Sequence, residues 1–364
     1  MDRCFEPGQP GAGWFLNART FMASQKGRFF LWPQNHQDNR MKIGVVGVGA
    51  LGGYYGGKLC RNGAEVHLLL RTDFEVVKTK GLQISSPDGD FTVQPHAHAS
   101  SGTIGKCDLV IVGLKTTAND RYEELITPLV AERTTILCLQ NGLGNCERLA
   151  ELFGVEKIMG GLCFVCLNRT APGMVRHIAF GKIILGEHLG PPQARTREIA
   201  EIFNQSGVPC GLAENLEHGL WEKLVWNIPF NGLGVASAAG LEALASKGET
   251  MPAQLGDPLP TGDLLADPHW EQHVRVLMQE IIVVASAKGI TLEPELVGRM
   301  IERTRAMGSY RASSVIDFEN GLPIELKSMF LEPLCQARAA GVSAPHLEAL
   351  CIVLEKLARY LPRP

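Results

Sequence analysis

The chain has 364 residues, 45% of them hydrophobic and 20% charged, with a formal net charge of −3 at pH 7. That balance is ordinary for a soluble globular protein of about two domains, and it gives no reason to expect nucleic acid or an anionic membrane as partner. No apolar run reaches the roughly 18 residues of a bilayer-spanning helix, and the scattered cysteines read as reduced, cytoplasmic thiols.

Residues 1–40 open Gly/Pro-rich (Pro7, Gly8, Pro10, Gly11, Gly13) and show no periodicity, so they read as an irregular N-terminal extension. A basic transit peptide is the other reading of this stretch. From Met41 strands and helices alternate. Ile43–Val46 reads as a strand, Ala50–Asn62 as a helix and Glu65–Leu70 as a second strand. Leu82–Ser85 and Phe91–Gln94, split by Pro87-Asp88-Gly89, read as a hairpin. Asp108–Leu114 and Thr135–Leu139 are near-continuous apolar runs, the mark of parallel strands covered on both faces. Asp120–Ala131 between them has helical spacing. After a strand at Lys157–Phe164 the pattern predicts a hairpin of Met174–Ile178 and Lys182–Leu185, turning at Gly181. Cys163-x-x-Cys166 lies in a strand-like run without a second pair at metal spacing, so it reads as structural and no metal site is expected.

Past Gly207 the pattern turns helical: Leu216–Ala239, His269–Lys288, Glu293–Arg305, Ile324–Ala339 and Pro345–Tyr360 all show 3.6-residue spacing. Gly248–Asp263 reads as a long inserted loop. The expected architecture is α/β plus all-α. A doubly wound parallel sheet of Rossmann type spans 41–207, and a helical domain spans 208–364.

The densest chemical signal is Gly47-Val48-Gly49-Ala50-Leu51-Gly52, between the first strand and the first helix. In this pattern the first glycine permits a tight turn, the second lets backbone approach a pyrophosphate, and the third lets helix and strand pack closely. The helix N-terminus then presents unpaired N–H groups to the anion. Arg71 ends the second strand, where an NAD-binding chain carries Asp or Glu for the ribose 2′-hydroxyl. A guanidinium there suits a 2′-phosphate, so the pattern indicates NADPH, with Asp73 as the competing acid. Lys115 and Asn141 also fall just past strand ends, where the ligand crevice of an open parallel sheet lies.

In the helical half Lys223, Asn227 and Asn231 stand at i, i+4 and i+8 and form one polar stripe on an otherwise apolar helix. Buried amines and amides are costly without partners. The stripe therefore either ties helices together or faces a cleft where a substrate supplies the partners. Pro229 removes an N–H and is expected to kink this helix. Ser313 and Ser314, followed by Asp317, Glu319, Gly321, Pro323 and Glu325, read in isolation as helix capping and dipole compensation.

Taken together, the glycine loop, Arg71, Leu114-Lys115, Asn141-Gly142-Leu-Gly144, Leu220-Trp-Glu-Lys-Leu-Val-Trp-Asn227 with Asn231, and Ser313-Ser314 with Gly321-x-Pro-x-Glu325 make the chain resemble the ketopantoate reductases. The resemblance runs from Met41 nearly to the C-terminus. It implies a helical domain like that of 6-phosphogluconate dehydrogenase and NADPH-dependent reduction of 2-dehydropantoate, a 2-keto acid, to (R)-pantoate on the way to pantothenate and coenzyme A. It implies Lys223 as proton donor, with Asn227, Asn231 and Ser314 on the substrate. Lys115, Asn141 and Glu325 would surround the nicotinamide ribose and the substrate, in a monomer or homodimer. Three departures stand out: Leu322 where the family has an arginine, a Ser314-to-Glu325 spacing one residue short, and the long 247–263 loop. Two other readings of the same scaffold remain: a reductase of another 2-keto or 3-keto acid, and a non-catalytic NADPH sensor. A dehydrogenase of phosphorylated substrates is a weaker one.

Overall fold

The computed structural model describes residues 41–360; the expectation for residues 1–40 lies outside them. Ten strands form one sheet: β1 (Lys42–Val46), β2 (Glu65–Leu69), β3 (Leu82–Ser85), β4 (Phe91–Val93), β5 (His96–His98), β6 (Cys107–Val112), β7 (Val130–Cys138), β8 (Ile158–Ala171), β9 (Met174–Glu187) and β10 (Cys210–Leu212). The order is β4-β3-β9-β8-β7-β6-β1-β2-β5, with β10 also on β9. From β5 through β8 every neighbouring pair is parallel. The order reverses direction at β1 and β6, which is the topological switch point where a doubly wound sheet opens its ligand crevice.

Helices α1 (Ala50–Arg61), α2 (Phe74–Lys80), α3 (Tyr122–Ile126), α4 (Asn145–Phe153) and α5 (Ala194–Gln205) accompany the sheet. Its two faces carry separate apolar cores. One is built on Val45, Leu68, Ile111 and Tyr55, the other on Val46, Val110, Val112 and Tyr122. The second half is helical: α6 (Leu216–Ala236), α7 (Gly240–Ala245), α8 (Thr261–Ala266), α9 (Pro268–Ala287), α10 (Leu296–Ala306), α11 (Ser313–Glu319), α12 (Glu332–Ala339) and α13 (Pro345–Leu357). Helix α6 is its axis, packed by α8, α9, α11 and α13 and buried at every position from Asn227 to Ala236. No helix among the described residues is long and apolar enough to cross a membrane.

Several expectations need correction. Strand β9 is continuous from Met174 and pairs antiparallel with β8, so the hairpin turns at Pro172-Gly173. Gly181 is an interior bulge: Phe180 and Gly181 take φ of 66° and 125°, and the register slips there. The helix expected over 120–131 is broken into 3₁₀ turns at Thr116–Arg121 and Thr127–Leu129 around α3. Thr127 keeps helical backbone before Pro128 (φ of −50°, ψ of −41°), and the run ends where Val130 turns extended. The sheet continues past residue 207, because β10 adds to β9. Helix α6 runs unbroken through Pro229. The helix expected from Ile324 begins instead as a π-turn at Lys327–Leu331.

Candidate active site

The glycine loop has the shape its spacing implies. Gly47 takes φ of 95°, and a Cβ there would sit 2.2 Å from the backbone nitrogen of Leu114. A Cβ on Gly52 would meet the Gly47 carbonyl at 2.3 Å, so helix and strand touch through it. Around Gly49 nothing lies within 4 Å of an added Cβ. The loop is thus closed on the strand side and open on the crevice side. No side chain caps α1 and no acid lies in its first turn, which leaves its N–H groups and partial positive charge for an anion.

Arg71 is exposed, and its guanidinium makes no hydrogen bond or ion pair with a described residue. Asp73, the acid that could compete for a ribose, is buried and fully engaged. It accepts from Arg169 Nε at 3.0 Å, from Arg169 Nη2, from the Gly173 N–H at 2.9 Å and from the Thr72 hydroxyl at 2.9 Å. Burial raises its carboxyl, but these donors outweigh burial and hold it below the usual carboxylate range.

On the other side of the switch point Lys115 follows β6. Its Nζ donates to Asp317 Oδ2 at 2.6 Å and lies 3.9 Å from Glu325 Oε2. Both carboxylates are buried and come from the helical half. They raise the Lys115 amine against the lowering effect of its own desolvation. Glu325 also accepts the Thr116 N–H at 2.9 Å, and Ser328 Oγ bonds Thr116 Oγ1 at 2.8 Å. The π-turn leaves the Ser328 carbonyl free to accept the Leu143 N–H at 2.9 Å. Gly142, at φ of 84°, lets the two backbones approach; a Cβ there would lie 2.4 Å from that carbonyl.

The polar stripe of α6 faces this seam. Lys223 Nζ donates to Asn141 Oδ1 at 2.9 Å and sits 5.6 Å from the centre of the Phe164 ring on β8. Desolvation lowers the Lys223 amine, with Cys163 and Glu325 opposing it. Asn227 is buried, and its carboxamide makes no hydrogen bond with a described residue. Asn231 is 2% exposed and caps α11: its Oδ1 accepts the Ser314 N–H at 2.9 Å and the Ser313 hydroxyl at 3.2 Å.

The structure buries Ser314, the residue expected on the substrate. Ser314 is 1% exposed and its hydroxyl points at Met329 Sδ, 4.0 Å away in the interior. Ser313 is half-buried and carries the hydroxyl beside the Asn231 amide. Counted from Ser313, the interval to Glu325 is one residue longer and the apparent shortening disappears.

Sequence reasoning missed Asp317, Thr116 and Ser328 as parts of this seam, and Arg169 as the partner of Asp73. Asp317 alone left a signal, as the first acid of the polar segment that follows Ser313 and Ser314. Leu322 is 52% exposed at the turn after α11. The 248–260 loop packs back on α6, with the Leu259 N–H bonded to Ser237 Oγ and the Gly256 N–H to the Ala238 carbonyl. Arg311 reaches the Pro258 carbonyl and pairs with Glu319.

A dinucleotide-type glycine loop at the switch point of the sheet, with a desolvated amine brought from a helical half to a strand end of that sheet, is the layout of a nicotinamide-dependent oxidoreductase. The family model described as ketopantoate reductase PanE/ApbA matches residues 43–190, and its C-terminal counterpart matches 253–358. The chain belongs to the ketopantoate reductase family. The 2-dehydropantoate 2-reductase of a Nostoc species is 37% identical over 319 residues, covering 86% of this chain and 93% of its own. A crystal structure of the 2-dehydropantoate 2-reductase from Geobacter metallireducens superposes with a TM-score of 0.78 at 45% identity, covering 87% of this chain and 99% of its own. A D-mandelate dehydrogenase complex with NADH and anilino(oxo)acetate shares the fold, with a TM-score of 0.75 at 19% identity over 88% of this chain and 99% of its own. The protein is therefore a ketopantoate-reductase-like oxidoreductase with a Rossmann-type sheet and a helical C-terminal half.

Proposed function

We propose that this chain uses NADPH to reduce 2-dehydropantoate to (R)-pantoate. The observation that carries the reading is the Lys223 ammonium, desolvated and 2.9 Å from Asn141 Oδ1 past the end of β7, two strands along the sheet from β1 and its glycine loop. The residues fit the coenzyme on their own geometry. Gly49 offers open space for a pyrophosphate, α1 offers uncapped N–H groups, and Arg71 offers an unpaired guanidinium for a 2′-phosphate. Gly47 through Gly52 would hold the pyrophosphate, and Lys115, Asn141 and Glu325 the ribose and ring end.

When bound, the reduced nicotinamide supplies the hydride that reaches the keto carbon. Lys223 stabilises the negative charge that develops on the keto oxygen and gives it a proton, which completes the alcohol. Its lowered pKa makes it a better acid than an exposed lysine. Asn141 aims the amine. Asn227, with a free carboxamide, and Ser313, held by Asn231, are the donors and acceptors for the acid's carboxylate and hydroxyl groups. Glu325 and Asp317 keep the Lys115 charge in place across the seam.

The deciding assay is NADPH oxidation with 2-dehydropantoate, run beside 2-ketoisovalerate, with NADH as control. Preference for 2-dehydropantoate supports the proposal. Coenzyme binding without turnover of either acid would overturn it. A second reading, reduction of another 2-keto acid, is favoured by the exposed Leu322 at the position where the resemblance implies an arginine. A higher kcat/KM on 2-ketoisovalerate would select it.

A further inference from the structure

Strands β8 and β9 are each 14 residues long, and their connecting turn reaches over the loop that follows β2. Near that turn a Cβ on Gly53 of α1 would meet Val175 at 3.0 Å, so the hairpin tip lies over the start of α1. There Arg169 of β8 closes on Asp73. Both carboxylate oxygens are taken: Oδ1 by Arg169 Nη2 and the Thr72 hydroxyl, Oδ2 by Arg169 Nε and the Gly173 N–H. A two-pronged guanidinium–carboxylate pair of this kind fixes orientation as well as charge. Arg169 Nη2 also lies 3.4 Å from Thr72 Oγ1, so the clasp grips the residue beside Arg71.

The position of Asp73 gives the clasp a meaning. Arg71 follows Gly52 by 19 residues and Asp73 by 21, so the two bracket the roughly 20-residue interval at which a dinucleotide fold places the acid that binds the ribose 2′-hydroxyl. A carboxylate facing a 2′-phosphate would repel it, and a carboxylate facing a free 2′-hydroxyl would bind it. Here Asp73 is buried, turned toward the hairpin and paired with a cation, while Arg71 two residues earlier stays exposed and has no partner among the described residues.

We propose that Arg169 is a specificity-determining residue: by sequestering Asp73 it leaves the Arg71 guanidinium to meet the coenzyme 2′-phosphate, and so makes this chain select NADPH over NADH. The proposal deepens the coenzyme half of the function above and rests on that reading, but does not depend on which keto acid is reduced. Arg169 acts through Asp73 and is a positioning residue.

The test titrates the full chain with NADPH and with NADH separately, following quenching of tryptophan fluorescence with no keto acid present. In the parent protein NADPH binds at least about tenfold tighter than NADH, roughly 1.4 kcal/mol. In Arg169→Gln the NADPH-to-NADH affinity ratio falls about tenfold or more, chiefly because NADH binds more tightly to the released Asp73. In Asp73→Ala/Arg169→Gln that gain of NADH affinity disappears. Equal weakening of both coenzymes in Arg169→Gln, or persistence of the gain in the double variant, would overturn the proposal. So would a parent protein that binds both coenzymes equally. Should Arg169→Gln fail to fold, Asp73→Asn alone decides: a ratio equal to or above the parent's supports the proposal, and a lower one sinks it. Because no substrate enters these titrations, failure of 2-dehydropantoate turnover leaves their outcome intact.

Discussion

Lys223 and Asn141 lie 82 residues apart in the chain and 2.9 Å apart in space, the amine on the central helix of one half and the amide past a strand end of the other. Replacing Lys223 by alanine removes both charge stabilisation and the proton source. The expected result is a fall in kcat of roughly 10²-fold or more, with NADPH affinity little changed. Single-turnover rates and coenzyme titration of the same variant check both halves of that statement.

The pH profile should carry the signature of this amine. Burial lowers Lys223 from the ordinary lysine value. Its protonated, proton-donating form therefore disappears at a lower pH than for an exposed lysine. Reductive kcat/KM should decline on an alkaline limb centred below ~10.4, the unperturbed value, and Lys223→Ala should lack that limb. A limb at or above the unperturbed value would remove the role.

Gly47 and Gly49 should respond oppositely to the same change. Gly47→Ala forces a Cβ against backbone at 2.2 Å and onto a positive φ, so stability should fall by roughly 2–4 kcal/mol. Gly49→Ala meets nothing within 4 Å, so stability should move by less than ~1 kcal/mol while the methyl group enters the crevice. Urea melts and NADPH titration of the pair separate folding from binding.

A third kind of prediction concerns acid stability. On the face shared by β2 and β5, His67 Nδ1 lies 2.9 Å from His98 Nε2, His67 Nε2 pairs with Glu65 at 2.9 Å, and the His96 ring stacks on His67. Desolvation lowers both imidazoles, helped by Lys42 and the neighbouring rings, while Glu65 opposes it at His67. The unfolded chain then binds protons more readily than the folded one. The stability contribution is full above about pH 6.5 and is lost as pH falls through the lower folded values. Thermal melts between pH 7.5 and 5 should show that loss, and His67→Gln/His98→Gln should flatten it.

What the sequence disclosed was whatever short-range pattern encodes. The order of strand, glycine loop and helix, and the i, i+4, i+8 stripe of Lys223, Asn227 and Asn231, are local regularities, and each lies on the element expected. What it withheld was tertiary pairing. Lys115 meets Asp317 across 202 residues, and Arg169 meets Asp73 across 96. No window of sequence contains both partners. Gly181 misled because a residue free to take positive φ serves a bulge as well as a turn. Ser313 and Ser314 were inseparable on paper, since which of two adjacent hydroxyls faces inward depends on where α11 begins and what packs beneath it.

The bonds from Lys115 to Asp317, Thr116 to Glu325, Leu143 to Ser328 and Asn141 to Lys223 all cross from one half of the molecule to the other. Each half thus ends in polar stubs whose complements reside in its counterpart. Severed and purified apart, the two pieces would each retain an apolar heart and neither would own a finished catalytic centre. The reaction is a property of the join.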